Sequence, residues 1–132
     1  MDLKILEIAS HTENQRIIKN YTHQSKSKNP LCGDEMEISL IVKNGVVQDM
    51  GYQCKSCIYC QASVSLLSRK IKDKKIEEIE SFITSGENLF KNVKTSLEKH
   101  WNDFKEIFDK KNIARKECLL LPLRTVLKAL KI

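Results

Sequence analysis

Long apolar runs are missing from this chain of 132 residues. No stretch approaches the roughly 20 apolar residues that a membrane span requires. The opening Met1-Asp2-Leu3-Lys4-Ile5-Leu6-Glu7 mixes acid with base and has no apolar signal core. A cytoplasmic protein with no membrane partner is expected. Glycine and proline are few, 4 and 2, and the composition is neither fibrous nor disordered. No internal repeat and no nucleic-acid motif is found. The net charge of +6 comes from 23 basic and 17 acidic residues. The lysines alternate with acids, and local runs occur only at Lys72-Asp73-Lys74-Lys75 and Lys110-Lys111. These read as solvated helix ends. An acidic protein partner is the second use of this charge, and nucleic acid is not expected as a partner.

The length suits one domain, 1–132, with a modest core. Leu3, Leu6, Ile8, Ile17, Ile18 and Tyr21 suggest a mostly helical segment over 3–22. The polar run Ser25-Lys26-Ser27-Lys28-Asn29-Pro30 reads as a loop. Met36, Ile38, Leu40 and Val42 alternate with polar residues, which predicts a strand. Asn44-Gly45 signals a tight hairpin with a return strand over 46–53. Helical patterning resumes after Cys57, with a second short helix over 76–83 and a break at Gly86. Phe90, Val93, Leu97, Trp101, Phe104 and Phe108 recur at helical steps and predict one long amphipathic helix. A last helix is expected to start near Pro122, a residue suited to a first turn. The fold class is α+β: a small antiparallel sheet packed against several helices.

Five cysteines carry the chemistry. An odd count in a cytosolic chain points to metal or thiol chemistry ahead of disulfides. Cys32-Gly33-Asp34 precedes a strand, where a glycine turn can aim a thiolate and a carboxylate at one centre. Alone, such a tripeptide is more often an ordinary turn. Cys54, Cys57 and Cys60 are spaced three apart, as in metal loops, but the fourth cysteine of a ferredoxin run is absent. Cys57 sits where a helix begins, and helix starts favour negative charge on sulfur. Cys118 lies among leucines, with Arg115 and Lys116 close by. On its own it reads as a core cysteine. His11, His23 and His100 read as surface or core residues.

Taken together, three stretches resemble the NifU/IscU/SufU family of iron–sulfur cluster scaffolds. They are Asn29-Pro30-Leu31-Cys32-Gly33-Asp34, the run from Cys57 through Ala62-Ser63-Val64-Ser65, and Arg115-Lys116-Glu117-Cys118. Ile71 to Glu78 is similar to the family's next helix junction. The resemblance implies the SufE/NifU-like α+β fold. It implies Cys32, Asp34, Cys57 and Cys118 as ligands of zinc or a [2Fe-2S] cluster, with Cys32 or Cys118 accepting a persulfide. It also implies a scaffold or sulfur-transfer role with a cysteine desulfurase as donor and apo-proteins as acceptors of clusters. Cys32 and Cys57 are 25 positions apart, and Cys57 and Cys118 are 61 apart. The long second interval, and the missing L-P-P-V-K motif, resemble the SufU branch more than the IscU branch. The family's P-R-N-x-G segment is absent, so a first strand is expected to be missing or rebuilt. Cys54 and Cys60 have no family role and are expected to be passive. Two rival readings are a structural zinc module and a ferredoxin-like electron carrier using Cys54, Cys57 and Cys60.

Overall fold

The computed structural model describes residues 3–30, 33–91 and 97–131. A short helix α1, Leu3–Ala9, is followed by strands β1, His23–Lys28, β2, Glu35–Lys43, and β3, Val46–Lys55. Helices α2, Ile58–Lys70, and α3, Ile76–Leu89, come next. Two 3₁₀ segments, Lys99–Glu106 and Lys110–Arg115, then lead into α4, Lys116–Leu130.

The strands form an antiparallel meander in the order β1-β2-β3. Strand side chains alternate between faces. Met36, Ile38 and Leu40 therefore share one face with their register partners Cys54, Tyr52 and Met50. That face is buried against α4 and α2. The predicted hairpin is present, and Asn44 and Gly45 both take positive φ, 55° and 75°. This is the geometry a two-residue turn needs to match the strand twist.

The segment expected to be helical over 3–22 is helical only to Ala9. Beyond it the chain crosses the outer face of the sheet in irregular form. Buried Asn14 anchors this crossing, since its carbonyl accepts the Tyr52 N–H at 3.2 Å and its amide donates to Ser68 Oγ at 3.1 Å. A Cβ on Gly51 would stand 2.5 Å from the Arg16 carbonyl oxygen, so only glycine lets the chain pass this closely. Ile17 and Tyr21, counted toward a helical stripe, are exposed. The polar run read as a loop holds the larger part of β1, from Ser25 to Lys28, whose backbone ladder needs no apolar alternation. A first strand is thus present.

The second half also departs from expectation. Helix α3 passes straight through Gly86, where a Cβ would meet Leu123 at 3.0 Å and Phe108 at 3.3 Å. That glycine is a close-packing contact, not a break. The long helix expected over 90–108 is absent from the described residues, where Phe90 follows the end of α3 and a 3₁₀ segment carries Trp101 and Phe104. Val93 lies outside the described residues. Its aromatic residues are buried as expected, with Phe82 of α3 stacked on Trp101 at 4.2 Å. Helix α4 begins at Lys116, six residues before the expected start, and holds Pro122 in its interior. The cost is a missing N–H in the second turn. Burial of Leu119, Leu120, Leu121 and Leu123 offsets it.

Candidate metal centre

Eight of the 13 residues of helix α2 are buried, three of them serines. Buried hydroxyls cost stability unless they are bonded, and each of these is. Ser63 Oγ donates to the Leu119 carbonyl at 2.7 Å, Ser65 Oγ to the carbonyls of Ile8 and His11, and Ser68 Oγ to the Ser65 carbonyl. The Ala62-Ser63-Val64-Ser65 motif therefore pins α2 to α4 on one side and to α1 on the other. Ser63 has a further consequence, because Leu119 follows Cys118. The bond sets the start of α4 against the start of α2.

Each of those helix starts carries a cysteine. Cys57 occupies the N-cap of α2, with extended backbone at φ −70° and ψ 167°. Cys118 lies in the first turn of α4. Helix N-termini present partial positive charge, so both favour an anionic sulfur. Asp34 comes from the turn before β2. Gly33, at φ 75°, donates its N–H to the Asn29 carbonyl, and the Asn29 N–H is given to the Asp34 carbonyl, both at 2.8 Å. The Asp34 side chain then receives the Cys57 N–H on Oδ1 at 3.3 Å.

The result is a cluster. One ligand atom each from Asp34, Cys57 and Cys118 lies within 4.8 Å of the others. Asp34 and Cys118 are buried, and Cys57 is half-buried. Asp34 Oδ2 is buried with no hydrogen-bond partner among the described residues. A buried carboxylate oxygen without a donor is costly. Two thiolates and a carboxylate this close would repel one another. A soft or borderline cation bound between them removes both penalties, and this donor set fits zinc or iron.

Cys32 lies outside the described residues, so three members of the expected ligand set are described, and these three come together. Cys54 and Cys60 are not in the group. Cys54 is half-buried at the end of β3, and Cys60 is fully buried in α2. Burial pushes both thiols above their ordinary range, Cys60 far above it, and the Asp34 carboxylate adds to the rise. The electron-carrier reading needs Cys54, Cys57 and Cys60 around one centre, whereas Cys57 is grouped with Asp34 and Cys118 among the described residues.

Sequence reasoning missed two supports of this site. The Arg115 guanidinium lies over the Tyr59 ring at 5.4 Å from its centroid, which ties the approach to α4 onto the first turn of α2. Gln61 Nε2 donates to the Ser56 carbonyl at 2.9 Å and holds the loop that enters Cys57. Neither contact has a local signal, because each joins residues through the fold. The histidines are structural where bonded: His100 pairs with the Lys70 carbonyl at 2.8 Å and lies edge-on to Trp101. A surface cavity of about 640 Å³ is lined by Lys26, Lys28, Glu35, Glu37, Cys54 and Lys55. Its mixed charges point to no ligand class.

Residues 2–103 match the NifU-like N-terminal domain. The chain belongs to that family. An iron–sulfur cluster assembly scaffold protein IscU from Thermotoga maritima is 33% identical over 128 residues, covering 96% of this chain and 89% of that protein. Two solved structures share the fold. A NifU-like N-terminal protein from Brucella abortus has a TM-score of 0.91 at 23% identity, covering 98% of this chain and 91% of that one. A putative scaffold protein for the SUF system from Fervidobacterium islandicum has a TM-score of 0.86 at 22% identity, covering 98% and 96%. The family and the α+β fold expected from the cysteine motifs are therefore those found. No helix among the described residues is long and apolar enough to cross a membrane.

Proposed function

We propose that this NifU-like chain is an iron–sulfur cluster assembly protein that accepts sulfur from a cysteine desulfurase. It binds zinc, or a transient [2Fe-2S] cluster as cargo, through Cys32, Asp34, Cys57 and Cys118, and passes the product to apo-proteins. The observation that carries this reading is the convergence of Asp34, Cys57 and Cys118 within 4.8 Å in a chain of this family. The thiol-rich set suits a borderline or soft metal, while Asp34 supplies a harder, more readily displaced oxygen. Such a site favours transfer over storage. Sulfur enters when a thiolate attacks the outer sulfur of the desulfurase persulfide. Cys32 and Cys118 are the candidate acceptors.

A zinc ion that only held the fold is the alternative. The apolar core argues against it, because α2, α4 and the sheet bury a continuous set of side chains without a metal. Small domains that need zinc to fold lack such a core. Chelation is therefore expected to leave the helical spectrum and a cooperative melting transition in place, lowered only by the lost metal-binding energy.

The test is to purify the chain without oxygen, assay zinc, iron and acid-labile sulfide, and add its own desulfurase with cysteine. Sulfur uptake that fails on Cys32→Ser or Cys118→Ser locates the acceptor. No uptake by the parent protein sinks the proposal. Asp34→Ala should lose its metal or cluster more slowly than the parent, and faster loss would show that Asp34 is not the labile ligand.

A further inference from the structure

From sequence alone Cys60 reads as a passive residue. Its position says more. Cys57 is the N-cap of α2 and Cys60 is the third residue of the helix proper. The Cys57 carbonyl accepts the Gln61 N–H at 3.0 Å, so the first turn closes at Cys57 itself. N-cap and N3 side chains meet across a first turn, which is why a capping box can form there. Their Cα atoms are one helical turn apart, about 5 to 6 Å, inside the window of about 4.4–6.8 Å that a disulfide requires. Cys57 is half-buried and reachable, and Cys60 behind it is fully buried. A reachable thiol at a helix start with a buried thiol one turn on is the arrangement that makes Cys-x-x-Cys pairs redox-active.

Cys54 is the competing partner, also three residues from Cys57. It belongs to β3, which runs extended to Lys55, and Cys57 is itself extended. No helical turn closes between Cys54 and Cys57, so nothing holds that pair at the one-turn spacing that Cys57 and Cys60 share. The closed first turn thus favours Cys60.

We propose that Cys57 and Cys60 form a dithiol that reduces a delivered persulfide sulfur to sulfide at the metal centre. This rests on the sulfur-acceptor reading above, with Cys57 as a station for the sulfur. In the first step the Cys57 thiolate attacks the outer sulfur of a carrier persulfide. A Cys57 Sγ–S bond forms, the carrier S–S bond breaks, and the carrier leaves as its thiolate. In the second step Cys60 passes its proton to the outer, anionic persulfide sulfur and attacks Cys57 Sγ. The Sγ–Sγ bond forms, the bond to the outer sulfur breaks, and hydrosulfide leaves. Two protein thiols are oxidised to one disulfide, and one sulfur gains the two electrons. Closing the disulfide also removes Cys57 from the ligand set, so an external thiol reductant must reopen the pair before metal rebinds.

The experiment uses the full chain, without oxygen or added reductant, and one equivalent of glutathione persulfide as the sulfur source. The parent should release sulfide and lose about 2 mass units, with peptide mapping placing the disulfide between Cys57 and Cys60. Cys60→Ser and Cys60→Ala, both checked for a native melt, should hold a persulfide on Cys57, with sulfide release slowed about tenfold or more. Release from both variants at the parent rate overturns the inference, as does a disulfide that maps to Cys54, or no disulfide at all. Because this probe bypasses the desulfurase, sulfide release here with no uptake from the desulfurase would sink only the function proposed above. Uptake from the desulfurase without the Cys57–Cys60 disulfide would sink only this inference.

Discussion

The two ends of α2, about 20 Å apart at 1.5 Å per residue, are built to opposite rules. At its start, Asp34 Oδ2 is buried with no hydrogen-bond partner among the described residues, beside thiols held at helix N-termini. At its end, the Lys70 carbonyl is bonded by His100, the Lys70 ammonium pairs with Asp103 at 2.7 Å, and stacked aromatics close the core. One end is left unsatisfied and the other is saturated. The difference separates two properties that are often confused. Stability is concentrated where every group has a partner, and chemistry where some do not. A bound cation converts the second kind of place into the first only while it stays, and a site meant to give its contents away gains from that.

The largest break should come at the saturated end. Phe82 is 2% exposed and touches Trp101, Phe104 and Phe108. Phe82→Ala should lower stability by about 3–5 kcal/mol, the range for losing a buried aromatic. Denaturant melts of the metal-free chain would measure it. Metal affinity of the molecules that remain folded should be unchanged, and a large loss of affinity would refute the separation. Next in size is the mirror experiment. Cys57→Ser should weaken zinc binding at least about a hundredfold, roughly 2.7 kcal/mol, while the metal-free melt barely moves. Competition with a zinc chelator gives the first quantity. Ser63→Ala sharpens the comparison, since Ser63 joins the site to the core. The Leu119 carbonyl loses its bonded hydroxyl, at a cost of about 1–2 kcal/mol. Zinc affinity should fall as well, because Cys118 is no longer held by the next residue.

The same contrast governs what the sequence could reveal. The site end was legible because its parts are local. Cys57 opens a helix, and Ala62-Ser63-Val64-Ser65 is small enough to be buried; Asn44-Gly45, at the opposite end of the sheet, was legible for the same local reason, its need for positive φ. The elements that escaped are those fixed by distant partners. Strand β1 is all polar, and only its pairing with β2 makes it a strand. Gly86 looks like a helix breaker until Leu123 and Phe108 press against it. Pro122 looks like a helix start, but the buried leucines before it carry the helix back to Lys116. Trp101, Phe104 and Phe108 are spaced for an α-helix, yet stacking on Phe82 is served equally well by a 3₁₀ turn. The Arg115–Tyr59 contact joins residues 56 positions apart in the chain, and no local pattern announces it.

The smallest effect tests the saturated end by pH. The Lys70 ammonium beside Asp103, by hydrogen bond and by charge, holds the Asp103 carboxyl below its usual range. A carboxylate with a lowered folded-state pKa stabilises the fold fully above its unfolded value, near 3.9, and loses that contribution as pH falls through the folded value. Asp103 is largely exposed, so solvent screening limits the gain to a few tenths of a kcal/mol. Asp103→Asn should therefore lower stability slightly at pH 7, and the gap to the parent should shrink to nothing as the solution is acidified below the parent's folded pKa. Added salt should shrink it as well. Paired melts across pH would read both trends. The metal centre, at the far end of α2, should not respond to this substitution, and a shift in zinc affinity would mean that the two ends are coupled through the helix.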